Sequence, residues 1–554
     1  MENTNIAHRA IGAMKKAFIT DGVEKFEKKT HGVTLKNLRH GLQLVYRKTD
    51  GITLLGCRVR VSGALEKYVT VRRAENVSAD VVPDSPNDFL LFATPSLCPD
   101  KLVPSEEPLG IVLRANYTVS AYVVFELGEE VPAGEYETAF TLENAKGEPL
   151  CEDKYTLTVL AAAAEESNLK LTNWIHYDGI CARHGVQPFS AEFYGTFESY
   201  LKRYTEAGFN MLYVPLFTPP LDTAVGLERR TVQLVRVKKT LAENSASGSE
   251  YRFDFSLLRK FIRFAAARGI KYFEFSHLFT QWGGEHCPKI VAEINGGTEK
   301  IFGWESDSRG GEYGAFLDAF LPKLTAFLKR EHIENRSYFH LTDEPAKRHL
   351  PVYEKCRAAV KKHLKKLPIF DALSDYGFYE KGLVDIPVPE LDKSEPFFGK
   401  GIRELYVYYC TPFAKYPNRS MNMPLLRVRV LGALLYLYDV QGFLHWGFNF
   451  YNTQNSLAEI DPCCDTSAGH CFYSGDQFIV YPHGCGAAGS LRAEATAAGF
   501  EDYRALKTLE RHAGREYVVR LLRESGVQSF TEYPYSDEAF EAMMENVQRK
   551  IAEF

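Results

Sequence analysis

Much of what this 554-residue chain lacks bears on what it does. No apolar run reaches the ~18 residues of a membrane-crossing helix, so no membrane span is expected. Met1-Glu2-Asn3-Thr4-Asn5 lacks the charged-then-apolar leader of a signal peptide, and the expected location is the cytoplasm. There is no basic arm, and a net charge of -5 with a pI near 6.3 argues against nucleic acid as a partner. A Gly-rich phosphate loop, paired metal-ligand histidines and a Gly-x-Ser-x-Gly elbow are also missing. Their absence removes nucleotide, zinc-hydrolase and serine-esterase readings, and neither cofactor nor metal is expected. The 11 cysteines are odd in number and scattered, as in a chain kept reduced. Cys463, Cys464, Cys471 and Cys485 lie closer together, but at spacings that match no common zinc pattern.

What is present describes a large globular protein: 45% hydrophobic and 25% charged residues, long enough for two or three domains. Aromatic residues reach 13%, with 31 Tyr and 37 Phe, which suits sugar-stacking surfaces and β-rich cores alike. Residues 1 to about 30 carry mixed helical patterning and read as a terminal arm. Residues 33–160 then alternate with a period of two between turn signals. Leu42-Gln43-Leu44-Val45-Tyr46 and Tyr155-Thr156-Leu157-Thr158-Val159-Leu160 are examples, and Pro132-Ala133-Gly134 marks a turn. That pattern predicts an antiparallel β-sandwich, closed by a small, acidic linker at 161–167.

From Leu171 the rhythm changes to strand and helix in turn. Strands are expected at 173–177, 211–216, 271–276, 337–342, 368–373, 384–388, 404–409 and 442–446. Helices are expected at 255–268, 313–330 and 424–438. Eight such units predict a (β/α)8 TIM-type barrel, with little helix after the sixth strand. Segments 490–511 and 537–552 read as closing C-terminal helices. The division expected is therefore an N-terminal β-sandwich over 1–165, a catalytic barrel over 166–515, and a helical segment over 516–554.

The most informative stretch is Tyr338-Phe339-His340-Leu341-Thr342-Asp343-Glu344-Pro345, where an apolar strand ends in two adjacent carboxylates before a proline. Unpaired charges are poor core material, and the C-terminal end of a barrel strand is where active sites sit. Successive strand residues point to opposite faces. Asp343 and Glu344 can share a pocket only if the backbone turns where Pro345 stops the strand; otherwise the pair is a solvated turn. Two carboxyl groups about 5 Å apart would serve a common retaining glycosidase. Strand seven ends Tyr408-Tyr409-Cys410-Thr411, with no carboxylate, and Glu404 lies at its start. Either Glu390 or Asp392 after strand six supplies the second carboxylate, or the substrate's own 2-acetamido group attacks the anomeric carbon. A glycan-binding protein without catalysis is the remaining reading of such a scaffold.

The Asp-Glu pair is similar to that of glycoside hydrolase family 123, the β-N-acetylgalactosaminidases. So are Gly475-Asp476-Gln477-Phe478-Ile479-Val480-Tyr481-Pro482, Ser490-Leu491-Arg492-Ala493-Glu494 and Gly499-Phe500-Glu501-Asp502-Tyr503. In architecture the resemblance spans roughly residues 30 to 510. It implies release of β-linked N-acetylgalactosamine with net retention, Asp343 stabilising the acetamido group and Glu344 acting as general acid/base. The partner implied is a glycan or oligosaccharide bearing β-linked N-acetylhexosamine. Pro482-His483-Gly484-Cys485-Gly486 and the Cys463-Cys464 pair depart from the family pattern. An acetamido pocket should be aromatic, with a hydroxyl holding the attacking oxygen; Tyr376, Tyr408, Tyr409 and Trp446 are candidates, though each suits a core equally well. His176 and His277 are candidate ligands of sugar hydroxyls, Trp282 a stacking face, and Asn449 and Asn452 rim residues. Asp476 reads as a structural turn.

Overall fold

The computed structural model describes residues 5–82, 89–240, 250–410 and 415–554. Two N-terminal sheets, of seven and five strands, share one apolar cluster. Leu44, Tyr46, Val123 and Phe125 enter it from the larger sheet, and Phe140, Leu142, Leu157 and Val159 from the smaller. The alternation that predicted strands is the reason: along Pro149–Ala163, Cys151, Asp153, Tyr155, Leu157 and Val159 are buried while most intervening side chains are not. The expected helical arm is instead a strand, Ile6–Gly12, antiparallel to Arg39–Lys48. Ile6 and Ala10 join the shared cluster, so seven residues gain both a ladder and a buried face. The linker is shorter than expected, because the last sandwich-type strand runs on to Ala163.

Eight parallel strands follow in chain order: Lys170–Asn173, Met211–Val214, Tyr272–Phe275, Ser337–Phe339, Phe370–Ala372, Ile386–Val388, Tyr406–Tyr408 and Gly442–His445. Six form one sheet in the order four, three, two, one, eight, seven; the fifth and sixth pair separately. Single parallel bridges, Phe339 with Ile369 and Glu390 with Tyr408, join the two sets. The uninterrupted ladder of the predicted barrel therefore does not form around strands five and six. Pro368, Pro387 and Pro389 remove backbone donors just there. No α-helix separates strands six and seven, only the short 3-10 turns Leu391–Lys393 and Glu395–Phe397. The first strand also stops at Asn173, which leaves Trp174 and His176 on the connection beyond its end.

Helices cover this set with apolar stripes; Ser256–Ala266 buries Leu258, Phe261, Ile262 and Ala265, spaced at 3 and 4. A four-stranded sheet (Arg236–Thr240, Glu250–Asp254, Ile290–Ile294, Gly297–Phe302), absent from the sequence-based expectation, is built from the connections after strands two and three. Among the described residues no helix is long and apolar enough to cross a membrane.

The C-terminal part returns to the N-terminal sheets. Gly486–Ser490 pairs with Ser96–Pro104 of the seven-stranded sheet, and helix Leu491–Ala513 follows, capped by Ser490. Arg492, in its first turn, is fully buried. It bonds Asp100 at 2.9 Å and also donates to the carbonyls of Gly475 and Phe478. Breaking a buried pair from one side strands a charge, at a cost of about 3–5 kcal/mol. Asp100→Asn is therefore expected to lower the urea midpoint of unfolding clearly, whereas Glu137→Gln, at an exposed Lys154 pair, changes it by ~1 kcal/mol or less. Equal effects of the two changes would contradict the role given to Arg492.

Candidate active site

Strand four's ladder ends at Phe339, and the next residues are pinned one by one. Phe279 N–H donates to the Leu341 carbonyl, Trp282 N–H to that of Asp343 at 2.8 Å, and Glu344 N–H to that of Ala372 at 3.0 Å. Glu344 then adopts φ +45°, a left-handed conformation uncommon for a residue with a side chain. This is the turn the sequence demanded before Pro345. Asp343 and Glu344 both line one cavity at the C-terminal ends of the parallel strands. Trp174, Trp282, Tyr408, Trp446 and Phe472 supply its aromatic walls, and Asp222, Gln281 and Asp476 its other polar groups. A second, more open cavity shares Glu344, Tyr408 and Cys410 with the first.

Charge at the carboxyl pair is tightly managed. Asp343 is raised well above the ordinary carboxylate range, first by desolvation and then by the adjacent Glu344. Glu344 keeps an exposed surface at the cavity mouth, yet protein atoms crowd it and desolvation raises it too. The Tyr408 hydroxyl opposes that rise, donating to Glu344 Oε1 at 2.6 Å. The two groups thus titrate as a pair that holds a proton more firmly than separate carboxyls would. Beneath them His340 is bracketed by Glu274 at 2.5 Å and Asp371 at 3.1 Å, all three completely buried. Burial opposes its charge, but the two carboxylates prevail and raise it to about 9. His277, His340 and Asp371 are the described residues whose ligand atoms gather within 4.8 Å. Both ring nitrogens of His340 are already taken by the Glu274 and Asp371 carboxylates in this arrangement.

The remaining sequence-predicted residues separate into several places. Tyr408, Trp446 and Trp282 line the cavity, Trp282 with φ +60° and 44% exposed. His176 also lines it, but both ring nitrogens are used: Nε2 meets the Trp446 carbonyl and Nδ1 the Arg229 guanidinium. Burial, then Arg229, lower it to about 3, so it is neutral. His277 lies below the cavity, stacked on His340 with centroids 4.2 Å apart and bonded to the Tyr213 hydroxyl. Tyr409 faces the other way from Tyr408 and packs on Phe443 and His445. Tyr376 borders the second cavity, and Asn449 is a buried clip bonded to the His176 backbone through both side-chain atoms. Glu390, paired with Lys393, borders the second cavity and not the first; Asp392 borders neither. Cys463, Cys464, Cys471 and Cys485 are free thiols.

Asp222 and Asp476 were not anticipated as cavity groups. Desolvation pushes Asp222 up to about 6 and Asp476 up to about 7. A signal for Asp222 existed: Pro219-Pro220-Leu221-Asp222 follows strand two as a proline-marked acid, much as Asp343 to Pro345 follows strand four.

The family model described as "Glycoside hydrolase 123, catalytic domain" matches residues 174–509. Among solved structures, a family 123 glycoside hydrolase from Clostridium perfringens, studied for glycolipid glycan hydrolysis, superposes with TM-score 0.74 at 14% identity. The match covers 99% of this chain and 97% of that one. An endo-β-1,4-mannanase from Thermotoga petrophila aligns at TM-score 0.34 and 12% identity over 61% and 77% of the two chains. The Bacteroides uniformis β-glucuronidase 2 aligns at 0.27 and 10%, over 81% and 47%. No curated protein matches the sequence.

The His340 network is open to direct measurement. Its folded value lies above the ordinary 6.5, so the stability it contributes is complete below about 6.5 and is lost as pH rises toward about 9. The His340 ring proton should titrate near 9 by NMR, with the thermal midpoint falling over the same window. A ring titrating at or below 6.5 would contradict the bracketed-cation arrangement.

Proposed function

Starting from the fact that the chain belongs to glycoside hydrolase family 123, we propose that it releases β-linked N-acetylgalactosamine from glycans, with the substrate's 2-acetamido oxygen as nucleophile. The observation that carries this reading is that adjacent Asp343 and Glu344 line one aromatic cavity, where a left-handed turn brings them together. In this reading the eight parallel strands serve as a (β/α)8 barrel with the site on its C-terminal rim, and the two N-terminal sheets as its β-sandwich.

The role given to each group is the one that the resemblance to family 123 implies; burial raises Asp343 further than Glu344 in the free protein, so the assignment requires the acetamido N–H bound at Asp343 to leave the pair's proton on Glu344. Asp343, as a carboxylate, accepts the acetamido N–H and stabilises the positive charge that develops as the acetamido oxygen attacks C1. Glu344, holding the pair's proton, donates it to the departing glycosidic oxygen as the C1–O bond breaks. Glu344 then takes a proton from water, which attacks C1, opens the oxazolinium ring and yields the sugar with net retention. Glu390, neutralised by Lys393 and bordering the neighbouring cavity, is less suited to act as a covalent nucleophile.

A panel of aryl and oligosaccharide β-N-acetylgalactosaminides and β-N-acetylglucosaminides tests the reading. Hydrolysis of none, or a glycosyl ester trapped on Glu390, would refute it. Glu344→Gln should lose ~10²–10⁴-fold with poor leaving groups and less with activated aryl ones. Asp343→Asn should bind a thiazoline analogue of the intermediate more weakly while keeping the fold.

Tyr408→Phe gives a separate check. Tyr408 lowers Glu344 by donating to its carboxylate, so removing the hydroxyl raises Glu344 further. The alkaline limb of kcat/KM, where the acid loses its proton, should then move to higher pH. A limb that stays in place, or moves down, would remove Glu344 as the acid.

A further inference from the structure

Asp476 stands on the opposite side of the cavity from the catalytic pair. It borders Trp446, which directly follows strand eight, and strand eight lies four steps round the hydrogen-bonded order from strand four. Its backbone is held rigidly. The carbonyl of Asp476 accepts from Arg419 through both Nε and Nη2, and that of Gly475 from Arg492. Gly475 has φ +90°, and an added Cβ would lie 2.7 Å from Arg492 Nη1, so the turn requires glycine.

Both buried arginines thus spend these hydrogen bonds on carbonyls. Among the described residues, the Asp476 carboxylate makes no ion pair with either, although the residue is only 5% exposed. Among the described residues its Oδ1 has no hydrogen-bond partner, while the Trp446 side chain hydrogen-bonds the carboxylate. His445 Nε2 lies 3.7 Å from Oδ1, too far for a hydrogen bond, and is itself unpartnered among the described residues. Gly447 N–H donates to His445 Nδ1, so the neutral ring carries its proton on Nε2 and presents a donor toward Asp476. A buried carboxylate without a full set of partners is costly unless a ligand completes it. Burial pushes this carboxyl up to about 7 against the opposing pull of Arg419, Trp446 and Arg492.

A β-hexosaminide with C1 and its acetamido group at Asp343 and Glu344 extends its C4–C6 edge toward the opposite wall. We propose that Asp476 is a specificity-determining residue, whose carboxylate accepts a hydrogen bond from a hydroxyl on the C4–C6 edge of the sugar ring. His445 closes onto the carboxylate from behind when that bond forms. This inference rests on the reading that the cavity binds a β-N-acetylhexosaminide, and it adds the group that senses the end of the sugar remote from the reaction.

The test combines variants with trimmed substrates. Parent aryl β-N-acetylgalactosaminide and its 4-deoxy and 6-deoxy forms are assayed with unaltered enzyme and with Asp476→Asn, thermal midpoints being recorded alongside. A hydrogen bond to a charged acceptor predicts a roughly 10- to 100-fold fall in kcat/KM for the variant on the parent. A similar fall is expected for the unaltered enzyme on one deoxy substrate, with little further loss when the two changes are combined. Independent, multiplying losses for both deoxy forms would overturn the proposal, because a merely structural Asp476 does not distinguish the substrates. If Asp476→Asn fails to fold, the unaltered enzyme decides: no loss on either deoxy form overturns the proposal, and a loss on one supports it. Normal hydrolysis with no coupling refutes only this inference, whereas no hydrolysis of any N-acetylhexosaminide refutes the functional reading as well.

Discussion

The site depends on one backbone constraint, the left-handed turn at Glu344. In a regular strand Asp343 and Glu344 would face opposite sides of the sheet. The turn costs conformational energy, of order 1–3 kcal/mol for such residues. Three neighbouring segments hold it: the loop carrying Trp282 bonds the Asp343 carbonyl, the end of strand five accepts from Glu344 N–H, and Pro345 prevents the strand from continuing. Two backbone hydrogen bonds and the proline act on two adjacent residues, and the outcome is a geometry that sequence-local preferences would not choose.

Electrostatics completes what geometry starts. Two adjacent carboxyls crowded by protein both hold a proton more firmly than free ones, and a nearby positive charge opposes that rise. His340 supplies it from below, three residues before Asp343, and lowers that residue's tendency to hold a proton. Tyr408 acts on Glu344 alone, through a hydrogen bond. The two carboxyls therefore have different partners, and unequal surroundings are what allow like groups to take unlike roles. The buried triad of Glu274, His340 and Asp371 is itself tolerable because each carboxylate has further donors: Thr172 and Trp174 for Glu274, Tyr353 and the Leu341 N–H for Asp371.

How much of this was legible varied with the kind of signal. The Asp-Glu-Pro end of strand four could be read because a strand pattern, paired charge and a breaker coincide within eight residues. Tyr408 and Tyr409 show the limit of pattern: both end strand seven, but only the register decides which points inward, and one residue of slip exchanges them. The first 30 residues misled because a seven-residue strand is too short to distinguish from helical patterning before its partner, Arg39–Lys48, is known. His176 and Asn449 are rim residues by position, yet the structure uses them to clip the ends of strands one and eight together. Asp222, Gln281, Phe472 and Asp476 come from connections without periodicity, where sequence carries composition but no direction.

Those connections explain why the cavity needs the whole chain. The loop bearing Asp476 is held by Arg492, and Arg492 is neutralised by Asp100, which belongs to the N-terminal seven-stranded sheet. Ser474 and Thr466, on the same stretch of chain, bond Asp80 and the Ser78 carbonyl at the end of another strand of that sheet. The wall facing the carboxyl pair is thus positioned from residues about 80 to 100, far from it in sequence, through buried ion pairs and hydrogen bonds of short reach. Removing the N-terminal sheets would leave Arg492 without a counter-charge and the Asp476 turn without its anchors. The parallel strands alone carry the carboxyl pair, but the shape of the cavity the pair faces is set by the sheets beside them.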